Sequence, residues 1–223
     1  MTEIDMTHIK SLIASPIAID GPAASGKGTI AKRLATHLSY DYLDTGLLYR
    51  AVGYLLGQDK KSPNDAMSAE HIAQTLDLDL LNDASFEKHL RTAEAGAAAS
   101  IVAAMPGVRS AILQAQRDFA DNAPIGCILD GRDIGTIVCP NAPHKLFITA
   151  RPDIRAQRRW QELCKQDPSC DFDTVLADIM ERDRRDTERA TAPLKQAEDA
   201  HLLDTSDLSI EEAVSAALNL LVS

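Results

Sequence analysis

The stretch that most constrains this chain is Gly-Pro-Ala-Ala-Ser-Gly-Lys-Gly-Thr, residues Gly21 to Thr29. An apolar run, Ile17-Ala18-Ile19, leads into it, and a helical pattern, Ile30, Leu34, Leu38, leads out. Strand, glycine-rich turn and helix in that order make a phosphate cradle. Glycines let backbone N–H groups turn toward an anion, the helix N-terminus adds its dipole, and Lys27 supplies a point charge for the outer phosphates. Gly21, Pro22, Ala23, Ala24, Ser25, Gly26, Lys27, Gly28 and Thr29 are thus candidates for holding a nucleoside triphosphate. The usual pattern ends Gly-Lys-Ser/Thr. Here Gly28 follows Lys27, and the hydroxyl, on Thr29, comes one place later.

The rest of the chain reads as alternating strands and helices. Strands are expected at Pro16–Asp20, Tyr40–Asp44, Ile125–Asp130, Lys145–Ala150 and Leu202–Asp204. Alternation of this kind predicts an α/β fold, a five-stranded parallel sheet with helices on both faces. Residues 1–15 read as an N-terminal extension and 16–223 as a single domain, with its core at 16–62 and 106–223. Residues 63–105 form an expected insertion, with an alternating Leu76-Asp77-Leu78-Asp79-Leu80 strand and an alanine-rich helix. Ser209 is the expected N-cap of a closing amphipathic helix.

With 33 acidic against 23 basic residues the net charge is −10, which argues against a nucleic-acid partner. No stretch approaches the roughly 18 apolar residues of a membrane span. The four cysteines form no Cys-x-x-Cys pair, so free thiols in a reducing cytoplasm are expected.

Ligands of open parallel sheets sit beyond the carboxyl ends of the strands. The cradle, Asp44-Thr45-Gly46 and Asp130-Gly131-Arg132-Asp133 all fall there. Asp130 either caps its strand or meets a hydrated magnesium ion, which favours carboxylate oxygens. Thr29 is the other candidate near the metal. Arg132 with Asp133 is either a surface ion pair or part of the site. Across 173–190 an apolar stripe, Val175 and Ile179, continues into Arg182, Asp186 and Arg189 on one helical face. Either this is a solvated charge run, or the face ends over an anion. Arg151, Arg155, Arg158 and Arg159 form a second group, either solvated or part of a lid at about 155–190 that closes over phosphates; Arg158 is the candidate for ATP. Many arginines, one cradle lysine and no nucleophile–base pair suit phosphoryl transfer, which needs positioning and charge neutralisation.

Taken together these segments resemble the bacterial cytidylate (CMP) kinases, within the P-loop nucleoside-monophosphate kinases. The resemblance rests on Ile19-Asp20-Gly21-Pro22 through Thr29, Leu43-Asp44-Thr45-Gly46 with Tyr49-Arg50, and Leu90-Arg91-Thr92. It extends to Ala99-Ser100, Pro106 to Arg109, Asp130 to Thr136, and Glu181-Arg182-Asp183 through Asp186 and Arg189 to Leu194. The resemblance implies ATP-dependent phosphorylation of CMP and dCMP with Mg²⁺, by a cytoplasmic monomer. It implies Lys27, Arg132 and Arg182 as catalytic. It implies Thr45, Arg50, Ser100, Arg109, Arg132, Asp133, Arg182, Asp186 and Arg189 as the CMP side. Ser100, Arg109 and Asp133 would read the base, and Asp186 and Arg189 the sugar. A P-loop kinase for another small acceptor and a nucleotide-dependent switch are the alternatives.

Overall fold

A computed structural model describes residues 12–77, 80–81, 83–165 and 168–222. Five short strands, β1 (Ile17–Asp20), β2 (Asp41–Asp44), β3 (Cys127–Gly131), β4 (His144–Thr149) and β5 (His201–Asp204), form one sheet in the order β2-β3-β1-β4-β5. β1 pairs in parallel with β3 on one side and β4 on the other, and β4 pairs in parallel with β5. β1 is buried along its whole length, as a strand covered on both faces must be.

The chain divides into two compact units. The first holds the sheet and comprises the chain up to 43, 123–188 and from 192 onward. Helix α1 (Lys27–Leu38) buries Ile30, Ala31, Leu34, Ala35 and Leu38. It stops at Ser39, whose left-handed backbone turns its N–H back to the Ala35 and Thr36 carbonyls. These side chains join Ile17, Ile19, Ile128, Leu146 and Ile148 of the sheet and Val214, Ala217 and Leu221 of the last helix, Ile210–Leu221, in one core. That last helix starts with the expected Ser209 cap, completed by Glu212 as a capping box.

The second unit, 44–122 with 189–191, contains helices α2 (Thr45–Gln58), α3 (Ala66–Gln74), α4 (Ala84–Leu90), α5 (Ala93–Val102) and α6 (Pro106–Asn122). It is wider than the expected 63–105 insertion because α2 packs on the alanine-rich α5. A Cβ at Gly53 would come within 2.7 Å of the Ala98 Cβ, so the two backbones approach closely. Of the expected strand at 76–80, Leu78 and Asp79 lie outside the described residues. Next to them, the Leu80 N–H bonds the Asp77 carbonyl and the Asp83 N–H that of Leu80, which is turn bonding.

Back in the first unit, Ile134–Val138 forms one π-helical turn. Helices α7 (Pro152–Cys164) and α8 (Phe172–Glu188) follow, and the last helix is α9. α8 ends two residues earlier than the expected 190, so Arg189 follows the helix and does not lie on its face.

Candidate active site

The cradle's backbone is one only glycine can supply at two points. Gly21 has φ +152°, and a Cβ there would run into the Ile148 carbonyl of β4. Gly26, the N-cap of α1, has φ +86°. Lys27 opens the helix, and its Nζ lies 2.6 Å from Asp130 Oδ1 at the end of β3. The Tyr42 hydroxyl donates to the other oxygen of the same buried carboxylate at 2.8 Å. A Cβ on Gly28 would stand 3.2 Å from Asp130 Oδ2 and 3.7 Å from the Tyr42 hydroxyl. The usual Ser or Thr side chain at this position would crowd the Asp130 carboxylate. Thr29 is exposed. Ser25 Oγ is buried without a hydrogen-bond partner.

The arginines of α7 divide in two. Arg155 is buried, forks onto both oxygens of Asp183 at 3.0 and 2.6 Å, and donates to the Ala150 and Ala23 carbonyls. Arg158 donates twice to Thr205, whose hydroxyl in turn donates to the Ser25 carbonyl at 2.9 Å. Both therefore brace the cradle's backbone from the carbonyl side. Arg151 pairs with Asp207, and Arg159 with Glu162. The shared face expected for Arg155 and Arg159 is split: one is buried against the cradle, the other pairs along its own helix.

Arg132 Nε donates to Asp186 Oδ2 at 2.9 Å, which links β3 to α8. Arg182 is half-buried on α8. Asp133 is buried at the N-cap of the π-helical turn and makes no capping bond of its own. The turn is held from β1 instead. Asp20 Oδ1 accepts the Ile134 N–H and Oδ2 the Gly135 N–H, each at 2.8 Å. Burial is the main cause that pushes the Asp20 carboxyl up to about 7, with Asp133 adding to it and the two amides and Lys27 opposing it. The sequence reading missed Asp20, although a carboxylate closing an otherwise apolar strand was the signal.

In the second unit, the Asp44 side chain caps α2 by accepting the Gly46 N–H, and Thr45 is buried behind it. Arg50 Nη1 donates to the Leu90 and Thr92 carbonyls at 2.8 and 3.1 Å. A Cβ on Gly96 would press on its guanidinium. Ser100 on α5 is buried, and its Oγ has no hydrogen-bond partner. Buried Arg109 donates to the Ala103 carbonyl, one turn beyond Ser100, and lies over the Tyr49 ring. Arg189 is half-buried after the end of α8.

Among the described residues, no group of three or more His, Cys, Asp or Glu is placed to hold a metal. The four cysteines are free thiols. No single helix among them is long and apolar enough to cross a membrane.

A central strand, a glycine turn and a lysine-led helix, set in a parallel sheet, define a P-loop fold. Two solved structures share this fold at low identity. One is an uncharacterized protein from Eubacterium ventriosum, with TM-score 0.55, 14% identity, and coverage of 94% of this chain and 99% of that one. The other is shikimate kinase from Bacteroides thetaiotaomicron, with TM-score 0.50, 14% identity, and coverage of 93% and 98%. The chain belongs to the cytidylate kinase family, whose model matches residues 17–223. It is 56% identical over 202 residues to the cytidylate kinase of Azorhizobium caulinodans, covering 91% of this chain and 95% of that protein. It is 50% identical over 215 residues to that of Brucella suis, covering 96% of each. It is therefore a nucleoside-monophosphate kinase, a phosphotransferase.

Proposed function

We propose that this chain transfers the γ-phosphoryl group of ATP directly to the phosphate of CMP, giving CDP and ADP, and does the same for dCMP. The observation that carries the choice of acceptor is the buried Ser100 hydroxyl, which no group among the described residues bonds, one turn from the carbonyl that holds buried Arg109. A buried polar atom without a partner costs about 1–3 kcal/mol, and a ligand that bonds it recovers that cost. Cytosine offers O2 and N3 as acceptors and N4 as donor. In the second unit, Ser100 and Arg109 donate to the acceptors, and Thr45 and Arg50 take the CMP phosphate. In the first unit, Asp133 accepts from N4, Arg132 and Arg182 neutralise the acceptor phosphate, and Asp186 engages the sugar. Arg189 shares the sugar.

On the donor side, the Gly21–Thr29 backbone holds the phosphates of ATP. Lys27 leaves Asp130 to follow the transferred group, where the charge of the transition state develops. Arg158 supports the cradle through Thr205. A magnesium ion with ATP would neutralise phosphate charge. The hard oxygen donors it favours are present in Asp130, acting through water, and in exposed Thr29. We also take the protein to be a cytoplasmic monomer without a nucleic-acid or membrane partner, a reading supported by the net charge of −10 and the free thiols.

The test is an acceptor panel with Mg-ATP: CMP, dCMP, UMP, AMP and GMP, for the wild type and for Asp133→Ala. CMP is expected to be preferred, and Asp133→Ala to raise the KM for CMP by about 100-fold while leaving that for ATP unchanged. Equal turnover of UMP or AMP by the wild type refutes the cytosine reading.

A further inference from the structure

We infer that Thr205 is a positioning residue for ATP: its hydroxyl, oriented by Arg158, pins the Ser25 carbonyl and so keeps the Gly26 N–H turned toward the phosphates, on the reading of Gly21–Thr29 as the ATP cradle given above. All the groups involved belong to the first unit.

A trans peptide unit is planar, and its C=O and N–H point in opposite directions. Fixing a carbonyl therefore aims the N–H of the next residue. The cradle is fixed in this way twice, two residues apart. The Ala23 carbonyl accepts from Arg155 Nη1 at 3.3 Å, which turns the Ala24 N–H away from that arginine. The Ser25 carbonyl accepts from the Thr205 hydroxyl at 2.9 Å, which turns the Gly26 N–H away from Thr205. Ala24, with φ +57°, and Gly26, with φ +86°, both lie in the left-handed region. Turns of this kind gather successive N–H groups into a concavity that suits an anion. Glycine adopts such a backbone freely, whereas Ala24 has to be held in it.

Arg158 decides which way the Thr205 hydroxyl points. That hydroxyl has a single proton, and two carbonyls lie within its reach. Arg158 Nη1 donates to Oγ1 at 3.1 Å, and a guanidinium has no acceptor. Oγ1 therefore accepts from Arg158 and gives its own proton to a carbonyl. The Thr149 carbonyl is 3.1 Å away and already takes the Thr205 N–H at 2.8 Å. The Ser25 carbonyl is nearer, so the proton goes there. Arg158 Nη2 also bonds the Thr205 carbonyl at 2.7 Å, which fixes the backbone and the side chain of Thr205 together. The same guanidinium lies beside Gly26, where a Cβ would stand 3.8 Å from Nη1.

Thr205 is itself anchored. It follows β5 directly, is buried, and its N–H bonds the last carbonyl of β4, the strand that pairs with β1. One hydroxyl thus ties the cradle to the far end of the sheet, 180 residues on. Without it, the Ser25 carbonyl, in a fully buried residue, has to turn to find another partner. Turning it carries the Gly26 N–H along. ATP then has to order that peptide as it binds, and the cost comes out of its affinity.

Thr205→Val keeps the shape and removes the hydroxyl. In the full-length enzyme we expect it to weaken Mg-ATP binding about tenfold or more, measured by calorimetry without an acceptor, and to raise the KM for ATP in step. The KM for CMP should stay within about twofold of wild type. Thr205→Ser restores the hydroxyl and should bring Mg-ATP affinity back to within about twofold. Arg158→Met should also weaken Mg-ATP, and adding it to Thr205→Val should weaken it no further, because Arg158 acts through the hydroxyl. An unchanged Mg-ATP affinity in Thr205→Val overturns the inference. So does an equal loss for ATP and CMP, a Thr205→Ser no better than Thr205→Val, or an Arg158→Met effect that multiplies with that of Thr205→Val. Should Thr205→Val not accumulate, Thr205→Ala against Thr205→Ser gives the same comparison, with the same results supporting or overturning it. Gly26→Val separates this role from the cradle reading, since a side chain at φ +86° distorts the cradle itself. Intact Mg-ATP affinity in Gly26→Val refutes the cradle reading. Lost affinity there, with wild-type affinity in Thr205→Val, overturns the role of Thr205 alone.

Discussion

Lys27 and Asp130 lie 2.6 Å apart, with Asp130 nearly inaccessible and Tyr42 on its second oxygen. The lysine is thus held at the cradle before any phosphate arrives, which limits the ordering left to do on binding. If Lys27 acts as proposed, Lys27→Ala removes charge stabilisation that grows in the transition state, and kcat with saturating ATP and CMP is expected to fall by about 100-fold or more. A kcat within a few-fold of wild type would contradict that role. Asp20 yields a second measurable consequence. Its carboxyl titrates at about 7 in the folded protein, above the ordinary 3.8, chiefly because it is buried. Between those values the unfolded chain gives up a proton that the folded chain keeps, so stability falls as pH rises from about 4 to about 7. The loss is at most of the order of 4 kcal/mol. Urea unfolding at pH 5 and pH 8 should show a larger drop for the wild type than for Asp20→Asn, and equal drops would contradict it. Residue by residue, the cradle was legible because glycine, lysine and helix periodicity are local signals. The partners of those residues were not: Asp130 is 103 positions from Lys27 and Asp20 is 114 from Ile134. Only the strand register brings them together.

At the scale of elements, what the sequence revealed follows the length of each signal. All five strands lie within two or three residues of their expected positions, and the N-cap of α9 was readable at Ser209, which the structure completes with Glu212 as a capping box. The π-helical turn at Ile134–Val138 was not anticipated, because five residues give no periodicity and its cap is non-local. Helix α4 was missed for a related reason: at seven residues it is too short for a stripe, although the Asp83 side chain caps it at Ser85 and Phe86. The alanine-rich character of α5 was visible, but not its purpose. Small side chains there let α2 come close, and Gly53 faces Ala98 across that contact. Gly53→Ala should therefore destabilise the protein by about 1–3 kcal/mol through overpacking, despite its better helix propensity. A denaturation midpoint equal to or above wild type would show that the helices can part at no cost.

Over the whole molecule, chemistry and architecture are distributed unevenly. The sheet unit carries the cradle, Asp130, Arg132 and Asp133, on turns fixed by parallel strands. The helical unit carries Arg50, Ser100 and Arg109, on helices drawn almost entirely from one continuous stretch of the chain. Every strand pairing in the sheet involves β3, β4 or β5. During synthesis, then, neither β1 nor β2 can find a neighbour until Cys127 has been made, by which point more than half of the chain has been synthesised. Among the described residues the segment 44–122 is mainly helical and packs largely within itself, and helical units of this kind close quickly. Its helices can form while the strand that leads into the cradle is still waiting, so the sheet half of this kinase is the last part to come into existence.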